Sequence, residues 1–177
     1  MATSVADGGR RPLFWGILAG VVVLDQYTKW LAVEHLSRVP VPIAGEWLLL
    51  RLVYNPGAAF GIHAGAYSRV MFTVLALVAL VVLGLMVRET ARTQTVRLTA
   101  LALVCGGAVG NLVDRFRSSS GVVDFIDVWI GSFHWPTFNV ADMGVSTGAI
   151  LLGLVLWRES RTARPHAHPA DVPEPGS

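Results

Sequence analysis

The sequence predicts an all-α polytopic membrane protein: four transmembrane helices, with a small β-element and loop region outside the bilayer. Composition is the first observation behind this. Of 177 residues, 53% are hydrophobic and 15% charged, whereas a soluble domain carries about 25% charged residues. Length is the second: four apolar runs are suited to a hydrocarbon core of about 30 Å. Charge placement is the third. The net charge of +2 comes mostly from arginines at the ends of those runs, a pattern of membrane topology rather than of nucleic-acid binding. One domain suffices for this length. Cys105 is the only cysteine, so an intrachain disulfide is impossible, and its apolar setting reads as that of a small buried residue.

Residues 1–11 form a short polar tail ending in Arg10-Arg11, read as a cytoplasmic anchor charge. The first span follows over about Pro12 to Val33. No A-x-A-like cleavage site ends it, and Asp25 and Lys29 interrupt it, unlike the core of a signal peptide. An acid inside a span needs a partner or a task. Lys29, four positions on, can pair with Asp25; that pair could equally do no more than steady the helix. From Glu34 to Ser68 the helical pattern stops. Pro40, Pro42 and Gly45 break it, and Trp47 to Tyr54 reads as a short strand or interfacial segment. Asn55-Pro56-Gly57 is a turn signal leading into the small residues Ala58 and Ala59.

The second span, about Arg69 to Val87, has no ionisable group in its interior and is expected only to pack. Arg88, Glu89, Arg92 and Arg97 then make a polar loop. The third span, about Leu98 to Val113, differs in kind. Gly106, Gly107, Ala108 and Gly110 permit close helix contact, and Gly107, Asn111 and Asp114 share one face. Arg115 can offset the unfavourable dipole that Asp114 meets at a helix C-terminus. The fourth span covers about Ala141 to Trp157. Residues 158–177 are expected to be a disordered tail, in which His166 and His168 read as solvated. The arginine bias places both termini inside. Asp25, Asn55, Asp114, Asp124, Asp127, Asn139 and Asp142 then fall at or near the external face.

Between the last two spans, Gly121 to Asp142 carries three carboxylates. Asp124 lies among Val122, Val123 and Phe125, a setting that disfavours charge. Asp142 opens the fourth span, where a helix start favours a negative charge. Two acids in unlike surroundings are the material of acid–base hydrolysis. The plainer reading is also open: Asn139 and Asp142 have the spacing of a capping box, and Asp124 and Asp127 could be hydrated loop residues. Zinc ligand spacing is absent, as is a GxSxG elbow. Lys29, the sole lysine, already has Asp25 as a partner, and no histidine has a context that marks it as a base.

Five motifs follow one another in order. They are Asp25-Gln26-Tyr27-Thr28-Lys29, Asn55-Pro56-Gly57-Ala58-Ala59-Phe60-Gly61, Gly110-Asn111-Leu112-Val113-Asp114-Arg115, Val123-Asp124-Phe125 and Phe138-Asn139-Val140-Ala141-Asp142. In these the chain resembles the bacterial lipoprotein signal peptidases (signal peptidase II), over residues 12–157. The resemblance implies a membrane-embedded aspartic endopeptidase. Its substrates would be diacylglyceryl-modified prolipoproteins, cut just before the lipidated cysteine to remove the signal peptide. Asp124 and Asp142 match the catalytic dyad. Asn55, Asn111, Asp114, Arg115 and Asn139 match positions that shape or support the site, and Asp25 and Lys29 match the first motif in a supporting role. Gly57, with Ala58 and Ala59, would leave room for the lipidated cysteine. A small extracytoplasmic sheet is implied, which suits Trp47 to Tyr54.

The same resemblance implies a multi-pass protein of the bacterial cytoplasmic (inner) membrane. Its active site would lie near the extracytoplasmic face, and both termini (residues 1–11 and 158–177) in the cytoplasm. It implies a monomer whose partners are prolipoproteins and membrane lipid, with no nucleic acid, no cofactor and no metal. The expected mechanism gives the dyad one shared proton, with Asp142 the ionised base and Asp124 the protonated acid. Two other readings of the acids remain: a small proton-coupled carrier and a non-catalytic membrane scaffold.

Overall fold

A computed structural model describes residues 12–57 and 67–162 of the chain. Four helices are long and apolar enough to cross a membrane: α1 (Pro12–His35), α2 (Ser68–Glu89), α3 (Thr95–Arg117) and α4 (Val140–Thr162). The first three match the expected spans: α1 starts at Pro12 as expected, and the other ends lie one to four residues further out. Residues 158–162, expected to begin the tail, form the last turn of α4 instead. The tail at 1–11, Ala58 to Gly61, His166 and His168 lie outside the described residues.

The bundle is organised around α3. Of its apolar stretch 56% is buried inside the protein, against 6% for α2. Small residues make this possible, because lipid offers no hydrophobic drive between helices and close van der Waals contact must supply it. A Cβ on Gly107 would lie 2.2 Å from the Ala141 carbonyl oxygen of α4, and one on Gly110 would lie 2.6 Å from Asp25 Oδ2 of α1. Neither position admits a side chain. At the other end of the bundle α2 leans on α3 and α1 through Leu83, packed with Phe14, Leu101, Ala102 and Cys105. The outward faces carry Val70, Val74, Val78 and Val81 on α2 and Ile150 and Leu154 on α4, all exposed. That is the surface expected of helices facing hydrocarbon.

All-α is too narrow a description, because two hairpins join into one antiparallel sheet. β1 (Val41–Ala44), β2 (Leu48–Asn55), β3 (Val122–Ile130) and β4 (Phe133–Phe138) lie side by side in that order. The sheet is seated on the end of α1, where Val123 and Phe125 pack against Ala32. Leu52 N–H donates to the Ser37 carbonyl just past the helix, at 2.8 Å. Besides a register shift between Pro42 and Ala44 of β1, two further shifts bend the sheet. From Leu50 to Val53 β2 advances three residues while β3 advances two, and from Trp135 to Phe138 β4 does the same. Pro136 falls inside the second bulge, on an edge strand, where no ladder donor is lost.

The glycine contacts give a direct test. Gly107→Ala is expected to destabilise the purified protein by about 1–3 kcal/mol, the usual cost of overpacking. Gly84→Ala, on α2 where a Cβ meets nothing within 4 Å, is expected to be neutral or to raise the thermal midpoint slightly. Equal midpoints for the two variants would refute the packing argument.

Candidate active site

The polar interior sits where the C-terminal ends of α1 and α3, the start of α4 and the sheet meet. It begins with Lys29, whose side chain is 4% exposed. An ammonium there needs counter-charges, and it has two: Asp25 Oδ2 at 2.7 Å and Asp114 Oδ2 at 2.8 Å. Its third contact is Asn111 Oδ1 at 2.9 Å. The expected Asp25–Lys29 pair therefore exists, within a larger network. Asp25 also accepts from Ala141 N–H at 2.9 Å, which satisfies an orphan donor at the start of α4. Asp114 Oδ2 accepts from Val123 N–H of β3 at 3.3 Å. One ammonium thus ties α1, α3, α4 and the sheet together.

Three asparagines surround the carboxylate pair, and a neighbour with only one role fixes each amide. Asn111 must turn its oxygen to Lys29, so its Nδ2 donates to Asp142 Oδ1 at 2.8 Å. Asn139 Oδ1 accepts from Asp142 N–H at 2.9 Å, so its Nδ2 faces Asp124 Oδ1 at 2.7 Å and the Val123 carbonyl at 3.2 Å. Asn55 Oδ1 accepts from Gly57 N–H at 3.0 Å, so its Nδ2 donates to Asp124 Oδ2 at 3.1 Å. A backbone N–H can only donate and an ammonium can only donate, so no amide can flip without losing a bond. The turn that sets Asn55 requires glycine: Gly57 has φ +117°, and a Cβ there would lie 2.9 Å from Ser68.

Asp124 and Asp142 meet on Asn139. Its side chain donates to Asp124, and its backbone N–H donates to Asp142 Oδ2 at 3.2 Å. The second bond is half of a reciprocal capping box with Asp142 N–H. Asp142 therefore caps its helix and faces the site at once. The two acids differ in setting. Asp124 is 3% exposed, while Asp142 is only partly buried. Burial pushes the Asp124 carboxyl up to about 7, and the negative charge of Asp142 adds to the effect. The Asn55 and Asn139 donors and the Lys29 charge act against it. Arg115 lies at the rim. Its Nη1 donates to the Asn111 carbonyl at 3.0 Å, and its own carbonyl is held by Arg69 through Nε at 2.9 Å and through Nη2.

All ten residues singled out in the sequence lie in this network or on its edge. Two contributors were missed. Gln26 Nε2 lies 3.2 Å from Asp25 Oδ2, 3.2 Å from the Gly110 carbonyl and 3.1 Å from Asp114 Oδ1. Its place in the first motif was the available signal. Arg69 was read as the start of a packing helix, and nothing in its sequence context marks it. Asp127, open as a hydrated loop residue, is wholly buried in β3. Among the described residues no three His, Cys, Asp or Glu side chains are grouped to hold a metal ion.

Two carboxyls that each accept two N–H donors, share Asn139 and differ in burial make the arrangement of an aspartic hydrolase. Here it is built into a membrane-spanning bundle. The sequence profile described as Signal peptidase (SPase) II matches residues 17–158. A lipoprotein signal peptidase of Hydrogenovibrio crunogenus is 45% identical over 135 residues, covering 75% of this chain and 77% of the relative. Another, of Paraburkholderia phymatum, is 37% identical over 159 residues and covers 89% and 95%. A solved bacterial membrane enzyme superposes with a TM-score of 0.76 at 28% identity, over 85% of this chain and 91% of that one. The chain belongs to the signal peptidase II family, and is an aspartic peptidase.

The buried lysine yields a prediction. Lys29→Met leaves Asp25 and Asp114 facing each other without a cation, and should cost about 3–5 kcal/mol of stability. Adding Asp25→Asn should recover part of that loss. Thermal unfolding in detergent reads both, and a double variant no more stable than Lys29→Met would contradict the pairing.

Proposed function

We propose that Asp124 and Asp142 are the general acid and general base of this peptidase. In this reading it removes signal peptides from diacylglyceryl-modified prolipoproteins by cutting before the lipidated cysteine. The observation that carries the reading is Asn139, which holds both carboxyls while its own orientation is fixed by α4. Two carboxyls in one site share a single proton. In this reading the proton sits on Asp124, the more buried of the two, whose proton affinity burial raises. Asp142 carries the charge in this reading, with two N–H donors and the positive end of α4 to stabilise it.

The steps balance as follows. Asp142 takes a proton from water as the water oxygen bonds to the scissile carbonyl carbon. Asp124 gives its proton to the carbonyl oxygen, leaving a neutral gem-diol. The C–N bond then breaks. The nitrogen of the lipidated cysteine takes the proton held by Asp142, and one gem-diol hydroxyl returns a proton to Asp124. The products are a new carboxyl and a new amine, and the dyad again holds one proton. Asn55, Asn111 and Asn139 bring donors to this site without adding charge. Lys29, Asp25, Asp114 and Arg115 hold those donors in place, and Gly57 leaves room at the turn.

In this proposal the pair lies near the extracytoplasmic face of the bacterial inner membrane, with both termini in the cytoplasm. Arg88, Arg92 and Arg97 lie at the end of the bundle away from the pair, as cytoplasmic loops require. Acyl chains of the substrate could then stay in lipid while its peptide bond meets water. The protein would act as a monomer, since one chain supplies every group named.

A single gel tests the reading: a diacylglyceryl prolipoprotein incubated with the wild type, Asp124→Asn and Asp142→Asn. Each variant should lose about 10²–10⁴-fold in rate. Retention of near-normal cleavage by either would overturn the assignment. The pH profile gives a second check. Asp124 must be protonated to act, so kcat should fall as pH rises through about 7. That limb should be absent from the residual activity of Asp124→Asn.

A further inference from the structure

The mechanism leaves one fully buried carboxylate without a task. Asp127 has no exposed surface and lies on β3, three residues beyond Asp124. Four side chains from three strands surround it. Arg51 of β2 brings Nε to 2.9 Å from Oδ2, an electrostatic contact without hydrogen-bond alignment. Trp129 Nε1 of β3 donates to Oδ2 at 3.4 Å. From β4, His134 Nε2 lies 2.5 Å from Oδ1, and Thr137 Oγ1 donates to Oδ1 at 3.5 Å. Arg51 Nη2 also donates across the group to Thr137 Oγ1 at 3.2 Å. The His134 ring stacks on Trp129, with centroids 4.3 Å apart.

A buried ion pair is weak grounds for stability by itself, and its best-attested use is to fix register. The partners of Asp127 lie where register is at issue. The extra residue of β2 falls between Leu50 and Val53, at Arg51-Leu52, and that of β4 between Trp135 and Phe138, at Pro136-Thr137. Asp127 therefore grips both bulges at once, from the strand between them. Beyond its bulge β2 runs on to Asn55, and β4 runs on to Asn139. These are the two donors of Asp124. A slip of one residue in a strand sends every later side chain to the opposite face, and would take either donor off its target.

We infer that Asp127 is a positioning residue: by holding Arg51, His134 and Thr137 it locks the two bulges and so aims Asn55 and Asn139 at Asp124. The inference rests on Asp124 being the general acid. Asn55 and Asn139 favour the ionised form of Asp124. Misaiming them should therefore raise the pH at which the acid is lost, besides slowing the reaction.

The experiment uses the full chain in detergent with a diacylglyceryl prolipoprotein. Asp127→Asn should lower kcat by about 10–100-fold, the scale of a misplacement near 1 Å, with KM little changed. The descending limb of the pH profile should move to higher pH. Asn55→Ala should move it the same way, and the double variant should lose less than the product of the two single losses. An unmoved limb with multiplicative losses would mean that Asp127 serves stability alone, and would overturn the inference. If Asp127→Asn does not accumulate, Arg51→Gln and Thr137→Val test the two bulges separately. An unmoved limb in both would likewise overturn it. Near-normal cleavage by Asp124→Asn would instead remove the underlying acid assignment, a different failure.

Discussion

A single ammonium group inside the bundle sets most of what surrounds it. Transferring such an ion from water to an apolar medium costs of order 20 kcal/mol in the idealised limit, so Lys29 must be compensated from every side. Asp25 and Asp114 supply the charge, and the amide oxygen of Asn111 supplies the third acceptor. That last contact has the longest consequences. An amide has one acceptor end and one donor end, so committing the oxygen to Lys29 commits the nitrogen to Asp142. A charge on α1 thereby determines what Asp142 on α4 receives, although α1 and Asp142 share no direct bond.

Two supports of different kinds meet at the carboxylate pair. The bundle supplies Asp142 and Asn111, and its geometry is set by backbone contacts too close for any side chain at Gly107 and Gly110. The sheet supplies Asp124 and Asn55 and, past the end of β4, Asn139. Its geometry is set by strand register. Lys29 and Asp114 join the two, since Asp114 accepts from both Lys29 and Val123 N–H. Groups held by packed elements from two directions can be kept within a few tenths of an ångström, which acid–base chemistry demands. Asp124 pairs unlike needs here. Burial raises its proton affinity, yet it receives two amide donors that oppose the rise.

What could be read from the sequence follows the strength of the physical signals. The spans were legible because hydropathy over some twenty residues is a large, additive quantity, and α2 carries no competing feature. The site was legible through five motifs, whose described site residues the fold brings together from three helices, two strands and the turn before α4. The sheet was only half legible. β2 could be read as a strand, but β3 reads Val-Val-Asp-Phe-Ile-Asp-Val-Trp-Ile, apolar at both parities. Its faces are not divided into wet and dry, so the alternation that marks a half-buried strand is missing. In β4, Pro136 argues against a strand and is admitted only by an edge position and a bulge. Asp127 looked hydrated for the same reason: its partners Arg51 and His134 are brought to it by pairing, which local sequence does not encode.

In the proposed mechanism the structural role of Asp142 and its chemical one do not compete. The capping box binds Asp142 Oδ2 to a backbone N–H and leaves Oδ1 to Asn111. Each bond stabilises negative charge, and each also orients the carboxyl. The peptidase reading does not ask this group to pass a proton across the membrane, as a relay would. The distribution of ionisable groups agrees. Asp25, Lys29, Asp114, Asp124 and Asp142 are gathered at one end of the bundle, and the interior of α2 from Val70 to Val87 holds none. Among the described residues, protons arriving at this cluster meet no line of titratable groups leading to the opposite side. The same groups, confined to one level and braced by asparagines, suit a reaction that begins and ends with its proton on the same carboxyl.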